Sequence, residues 1–275
     1  MGYAPALVVD GQPRVALPYG LFSVLTPRTS PDAHWQGGIE WETLTCEPAG
    51  GIGDPTCVEG EASITGLPKS FEGSGDVGEA SPFTVYGTYS CTPVGHSVEY
   101  AQERAVEHLL AREEARVEQA LWTGDLDNGG FASGATAVGL GTVNIAQAVA
   151  ALEGWIASNY GSLGVIHMTR ETAVLAVAED VVVVKGNGLY TVLGTPVVAG
   201  AGYDGSDPDG DPPAEGTTNV YATPALLGYR SDVFPGAEPT SAGFDRAAND
   251  LFAVAERTYV IGYDPCGTAV ATVQI

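Results

Sequence analysis

The chain has 275 residues, 44% apolar and only 16% charged, which suits one large or two medium domains and excludes a disordered chain. Acids outnumber bases 34 to 11, for a net charge of -23. Such a field repels phosphate and excludes a nucleic-acid reader or a binder of anionic membranes.

Only two of the bases are lysines, Lys69 and Lys185, and the densest basic cluster, Arg104, Arg112 and Arg116, is interleaved with glutamates. No run reaches the roughly 18 apolar residues of a membrane span. Met1 is followed by Gly-Tyr-Ala-Pro rather than the Lys/Arg-led apolar stretch of a secretory signal, so the expectation is a soluble protein made in the cytosol.

Residues 1–95 are punctuated by Pro5, Pro13, Pro18, Pro27 and Pro31 and then crowded with glycine, which predicts an extended arm followed by loop-rich β structure. Residues 82–91 carry the β-branched and aromatic density of a strand. A partner at residues 61–67 is expected, making a hairpin with its tip at residues 71–78 and little core of its own. From Ser97 the character changes. Ser97 as N-cap, Glu99 in the first turn and Gly124 past the end frame a helix over 98–122, with Val106, Leu110, Val117 and Leu121 on its buried face, widened by Ala105 and Leu109. At 1.5 Å per residue it spans roughly 38 Å, enough to brace more than one substructure.

Asn144 caps a second helix over 145–160, with Val149, Leu152 and Ile156 inward. The pattern then alternates: a strand at 165–168, a short helix at 170–178, and strands at 181–184, 195–199, 220–227, 251–263 and 269–275. This mixture defines an α+β class with mixed sheets.

Chemical motifs are sparse. Gly73-Ser74-Gly75-Asp76-Val77-Gly78 fits G-x-G-x-x-G, but a strand follows where a dinucleotide site needs a helix, so it reads as a hairpin tip. Asp204, Asp207, Asp209 and Asp211 have calcium-like spacing yet lack flanking helices and a terminal glutamate, and read as a solvated acidic loop. The histidines, His34, His96, His108 and His167, form no zinc motif, and Glu40 and Glu42 share a face merely by strand period. The four cysteines, Cys46, Cys57, Cys91 and Cys266, match no zinc template and read as small half-buried thiols, a disulfide staying open for a protein that ends up outside a cell. No catalytic, cofactor or metal site is expected, and the chain reads as a non-enzyme.

Three segments carry a resemblance: Gly194-Thr195-Pro196-Val197-Val198-Ala199-Gly200-Ala201-Gly202-Tyr203-Asp204-Gly205, Asn219-Val220-Tyr221-Ala222-Thr223, and Glu256-Arg257-Thr258-Tyr259-Val260-Ile261-Gly262-Tyr263-Asp264-Pro265-Cys266-Gly267. They resemble the major capsid proteins of tailed bacteriophages that infect actinobacteria, which share the Hong Kong 97 fold. The resemblance implies an N-terminal arm at 1–37 and an extended loop hairpin region at 38–95. A peripheral domain at 96–163 would carry the spine helix (97–122), with an axial domain at 164–221. A peripheral ribbon at 222–265 and a strand returning to the axial domain at 266–275 complete the division.

The implied function is self-assembly into pentamers and hexamers of an icosahedral head around double-stranded DNA. The alternative is an encapsulin-type nanocompartment of the same fold. A separate scaffolding protein, a portal and a decoration protein are the further implied partners, with packaged DNA touched only non-specifically and no membrane. The location would be the virion, after synthesis in the host bacterial cytoplasm. Lys69, Phe71, Asp204, Asp207, Asp209 and Asp211 are the implied inter-subunit residues. The prototype of the fold joins a hairpin lysine to a neighbour's asparagine, for which Lys69 and Asn249 would be the counterparts. Pro68 and Ser70 beside Lys69 suit an ordinary lysine instead, and subunits without such a bond are expected.

Overall fold

The computed structural model describes residues 14–43, 46–50, 75–92, 94–235, 242–245 and 249–275. In chain order these form β1 (Ile39–Thr43), β2 (Asp76–Ala80), β3 (Pro82–Cys91), α1 (Val98–Thr123), β4 (Thr136–Ala137), α2 (Ile145–Trp155), β5 (Val165–Thr169) and α3 (Arg170–Ala178). There follow β6 (Val182–Lys185), β7 (Gly188–Thr191), β8 (Pro196–Gly200), β9 (Thr217–Thr223), β10 (Leu226–Arg230), β11 (Phe234–Pro235), β12 (Ala242–Asp245), β13 (Asp250–Tyr263) and β14 (Ala269–Gln274). The class is α+β, as the alternation of the sequence predicts.

The first core lies between α1 and the sheet built around β13. The long strand β13 pairs antiparallel with β10, β11 and β12, and with β3 from Pro82↔Val260 to Cys91↔Leu251. β13 is a partner that the sequence did not suggest for β3, and the partner expected at residues 61–67 lies outside the described residues. β1 and β2 form a ladder of their own from Ile39↔Ala80 to Thr43↔Asp76.

The caps of α1 are those the sequence signals. The Tyr100 N–H donates to the Ser97 hydroxyl, and Gly124, at φ +71°, closes the helix by donating its N–H to the Ala120 carbonyl. The buried face is turned from the expected one. Ala101, Ala105, Leu109, Glu113, Val117, Ala120 and Leu121 face inward, whereas Leu110 is 51% exposed. The reason is steric: β3 lies on the helix so closely that a Cβ at Gly87 would stand 2.5 Å from the Leu109 nitrogen and 2.7 Å from the Ala105 carbonyl oxygen. Only the small Ala101–Ala105 side of the helix admits that approach. At its C-terminal end Trp122 is fully buried against Phe131, Tyr203 and Tyr221, with ring centroids 5.5, 4.8 and 4.6 Å away. Such pairs contribute about 0.5–1.5 kcal/mol each beyond the burial of apolar area.

The second core belongs to a mixed sheet of order β4-β14-β9-β5-β8-β7-β6. α2 and α3 cover it, burying Ile145, Val149, Leu152 and Trp155 with Ala173 and Ala176 against Ile166, Met168, Val197 and Val220. Asn144 and Gln147 exchange side-chain and backbone hydrogen bonds as a capping box. The expected helix to residue 160 keeps its α form to Trp155 and then widens into a π turn, Ile156–Tyr160, ended by Gly161 at φ +68°. The strand expected over 220–227 is two. β9 ends at Thr223, Pro224 has no N–H for the ladder, and β10 begins at Leu226 in the other sheet, so this proline marks the chain's passage between cores.

Two of the cysteines are not thiols. Cys46 and Cys266 form a disulfide with their Cα atoms 5.4 Å apart, while Cys91 is free and half-buried. Cys57 lies outside the described residues.

Candidate assembly surface

Three glutamates of α1 govern how the cores meet. Glu113 accepts both bonds of Arg257 Nη1, at 2.9 Å each, and a third from the Tyr259 hydroxyl at 3.0 Å, tying the helix to β13. Burial pushes the Tyr259 hydroxyl up to about 12. Glu118 Oε1 accepts the Leu21 N–H and its Oε2 the Gly202 N–H, each at 2.9 Å; Glu114 accepts the Phe22 N–H at 2.9 Å. Burial drives Glu118 up to about 7 and raises Glu114 as well. Gly202 must be glycine here, because a Cβ would overlap the Ala115 carbonyl oxygen.

These carboxylates strap residues 18–28 across the junction. Arg170 Nη1 donates to the Pro18 carbonyl at 2.9 Å and the Ala199 carbonyl at 3.2 Å, and the Ala199 N–H donates to the Tyr19 carbonyl at 2.8 Å. Further on, the Arg28 N–H donates to the Gly228 carbonyl and the Arg230 N–H to the Arg28 carbonyl. Just upstream of the strap residues 14–17 are exposed, Val15 to 90%. A groove of about 960 Å³ runs between residues 14–20 and the outer face of α1, lined by arginines, glutamates and Leu110.

The four aspartates singled out in the sequence lie together in the turn-rich connection from β8 to β9. Asp207 Oδ1 accepts the N–H groups of Asp209 (3.0 Å) and Asp211 (2.9 Å), and Asp204 Oδ1 that of Ser206 (2.9 Å). The base of the loop is fixed by Trp122 Nε1 on the Ser206 hydroxyl and by the Tyr221 hydroxyl on the Ser206 carbonyl. The loop organises its own backbone through its carboxylates. Among the described residues no group of three His, Cys, Asp or Glu side chains could hold a metal ion. Lys69 and Phe71 lie outside the described residues, and Asn249 sits exposed in the turn before β13.

Two of the four histidines make contacts that fix their surroundings. His167 is fully buried between the Tyr203 hydroxyl and the Thr223 hydroxyl, and burial drives it down to about 3, which keeps it neutral. His108 is exposed, with Nδ1 2.9 Å from the Thr88 carbonyl oxygen.

Among the exposed large apolar side chains of the described residues, two groups share a sheet position. Tyr86, Glu256 and Phe234 stand in one row across β3, β13 and β11, and Phe252 lies on the same outward face; the three aromatic residues are all exposed. At the far end of the seven-stranded sheet Val184, Val192 and Leu193 are exposed as well.

The glutamate acceptors were not read from the sequence, although one signal was present. Leu109, Glu113 and Val117 follow one another at four-residue spacing, which puts an acid inside the apolar frame.

No protein-family model matches the chain, and no curated protein matches it. Solved structures do. A chain from Gordonia phage Cozz aligns with a TM-score of 0.54 at 14% identity, over 99% of this chain and 92% of that one. The capsid of an empty GTA particle aligns with a TM-score of 0.57 at 12% identity, over 99% and 96%. The holo-SrpI encapsulin complex from Synechococcus elongatus PCC 7942 aligns at 0.52 and 13%, over 98% and 91%. The chain has the α+β fold of capsid shell proteins along nearly its whole length.

Proposed function

We propose that this protein is the major capsid protein of a tailed bacteriophage, assembling as pentamers and hexamers into the icosahedral head that encloses double-stranded DNA. The observation that carries this reading is the capsid fold along nearly the whole chain, on a subunit whose Tyr86, Phe234 and Phe252 and residues 14–17 are exposed. In this reading residues 1–37 are the arm, 38–95 the extended loop and 96–163 the peripheral domain with its spine helix. Residues 164–221 are the axial domain, 222–265 the peripheral ribbon and 266–275 the returning strand. Lys69, Phe71, Asp204, Asp207, Asp209 and Asp211 face neighbouring subunits. Scaffolding, portal and decoration proteins are the further partners, and the packaged DNA is touched without sequence preference.

Expression of the full chain, alone and with the other head proteins, should give closed shells by light scattering and negative-stain microscopy. A monomer under every such condition would overturn the reading. The encapsulin likeness supports a second reading, a shell around protein cargo. Particles that enclose nucleic acid favour the phage head, and particles filled by a protein favour the nanocompartment.

A further inference from the structure

The Cys46–Cys266 disulfide joins residues 220 positions apart, and it does so at a particular place. Cys46 stands just beyond β1, and its N–H reaches the Asp76 carboxylate at 3.5 Å, at the start of β2. It therefore sits at the open end, or root, of the β1–β2 ladder, beside the Thr43↔Asp76 pair. Cys266 lies in the turn from β13 to β14. That turn is held to the same root by a second device: Asp264 accepts Trp41 Nε1 through Oδ1 and the Tyr160 hydroxyl through Oδ2, both at 2.9 Å. Trp41 itself packs beside Ala80 and Val260.

We propose that the Cys46–Cys266 bond is a redox-operated latch on the root of the β1–β2 ladder. The Asp264 contacts and the Trp41 packing hold the root in either redox state. The sulfur link adds to them only when oxidised. Both cysteines are half-buried rather than sealed in the core, so small thiols and disulfides in solution can reach them.

Closure follows thiol–disulfide exchange. One protein thiolate attacks a small disulfide such as oxidised glutathione, forming a mixed disulfide and releasing one small thiol. The other protein thiolate then displaces the second small thiol. Two protein thiols and one small disulfide become one protein disulfide and two small thiols, the two electrons passing to the small disulfide. A reducing thiol runs the same steps backwards and frees the root to open locally.

The test uses the full chain equilibrated with oxidised glutathione or with dithiothreitol, then alkylated with iodoacetamide under denaturing conditions and weighed intact. Of the four cysteines, all should be alkylated in the reduced sample. After oxidation the peptides holding Cys46 and Cys266 should be found linked. Hydrogen exchange at residues 39–43 and 76–80 should be about tenfold slower in the oxidised form, as a local opening is suppressed. Cys46→Ser and Cys266→Ser should each exchange at the reduced rate under both conditions. Complete alkylation in both samples, linkage through Cys57 or Cys91 instead, or equal exchange in the two forms would overturn the latch. None of these readouts requires a shell, so a chain that stays monomeric would count against the capsid reading and leave the latch standing.

Discussion

Two acid-rich regions of this molecule put the same side chains to opposite uses. Along α1, Glu113, Glu114 and Glu118 turn inward and accept hydrogen bonds from Arg257, Tyr259 and three backbone N–H groups. In the connection from β8 to β9, Asp209 and Asp211 stay exposed, and Asp207 bonds only within its own turn. The lesson concerns what surrounds a carboxylate: the helix acids are costly to bury and are retained by donors from distant segments, whereas the loop acids keep their water. A charge of -23 therefore overstates how much of the acid is surface.

The comparison can be broken most severely at Arg257. Arg257→Ala leaves Glu113 buried against Tyr259 without its cation, and a loss of about 3–5 kcal/mol in urea denaturation is expected. A loss below about 1 kcal/mol would mean that Glu113 is as well hydrated as the loop aspartates.

The next effect is read by pH. Glu118 has an ordinary value of 4.5 and is raised to about 7 in the fold, so the folded chain holds this proton more tightly than the unfolded one. Its contribution to stability is fully present below about pH 4.5 and is lost as pH rises through about 7, amounting to about 3 kcal/mol across that window. Glu118→Gln, which cannot ionise, should flatten that part of the stability curve relative to the parent chain. An unchanged slope would remove Glu118 as its source.

The smallest effect belongs to the loop. Asp209→Asn and Asp211→Asn should each change stability by no more than about 0.5 kcal/mol, because their carboxylates are exposed and hold no partner segment. A loss beyond about 1 kcal/mol, again in urea, would show that the loop is bound more tightly to the fold than its exposure indicates.

Local features were legible in the sequence and distant ones were not. Ser97, Gly124 and Asn144 announced the ends of their helices because a cap is written within a few residues, and the short helix at 170–178 was read with the bounds it has. The pairing of β3 with β13 escaped because strand partners far apart in sequence leave no periodic trace in either segment. The face of α1 differs from the expected one because β3 comes close at Gly87 and because Glu113 and Glu118, which a hydrophobic pattern counts as solvent, are buried. The acidic loop was recognised as such, yet its attachment through Ser206 to Trp122 and Tyr221 could not be foreseen from composition. The disulfide was left open because spacing alone does not say which cysteines the fold will bring together.

The strap formed by residues 18–28 has a mechanical meaning. Its bonds alternate between the two halves of the molecule, from Arg170 and Ala199 on one side to Glu114 and Glu118 along the spine and Gly228 and Arg230 on the other. Tension applied to the chain upstream of Pro18 would be met first by Arg170 and Ala199, then by the spine, and last by Gly228 and Arg230, so that releasing the strap engages both halves in turn. A neighbour pulling on that end would draw the halves together, much as a tendon crossing a joint stiffens it when the muscle contracts.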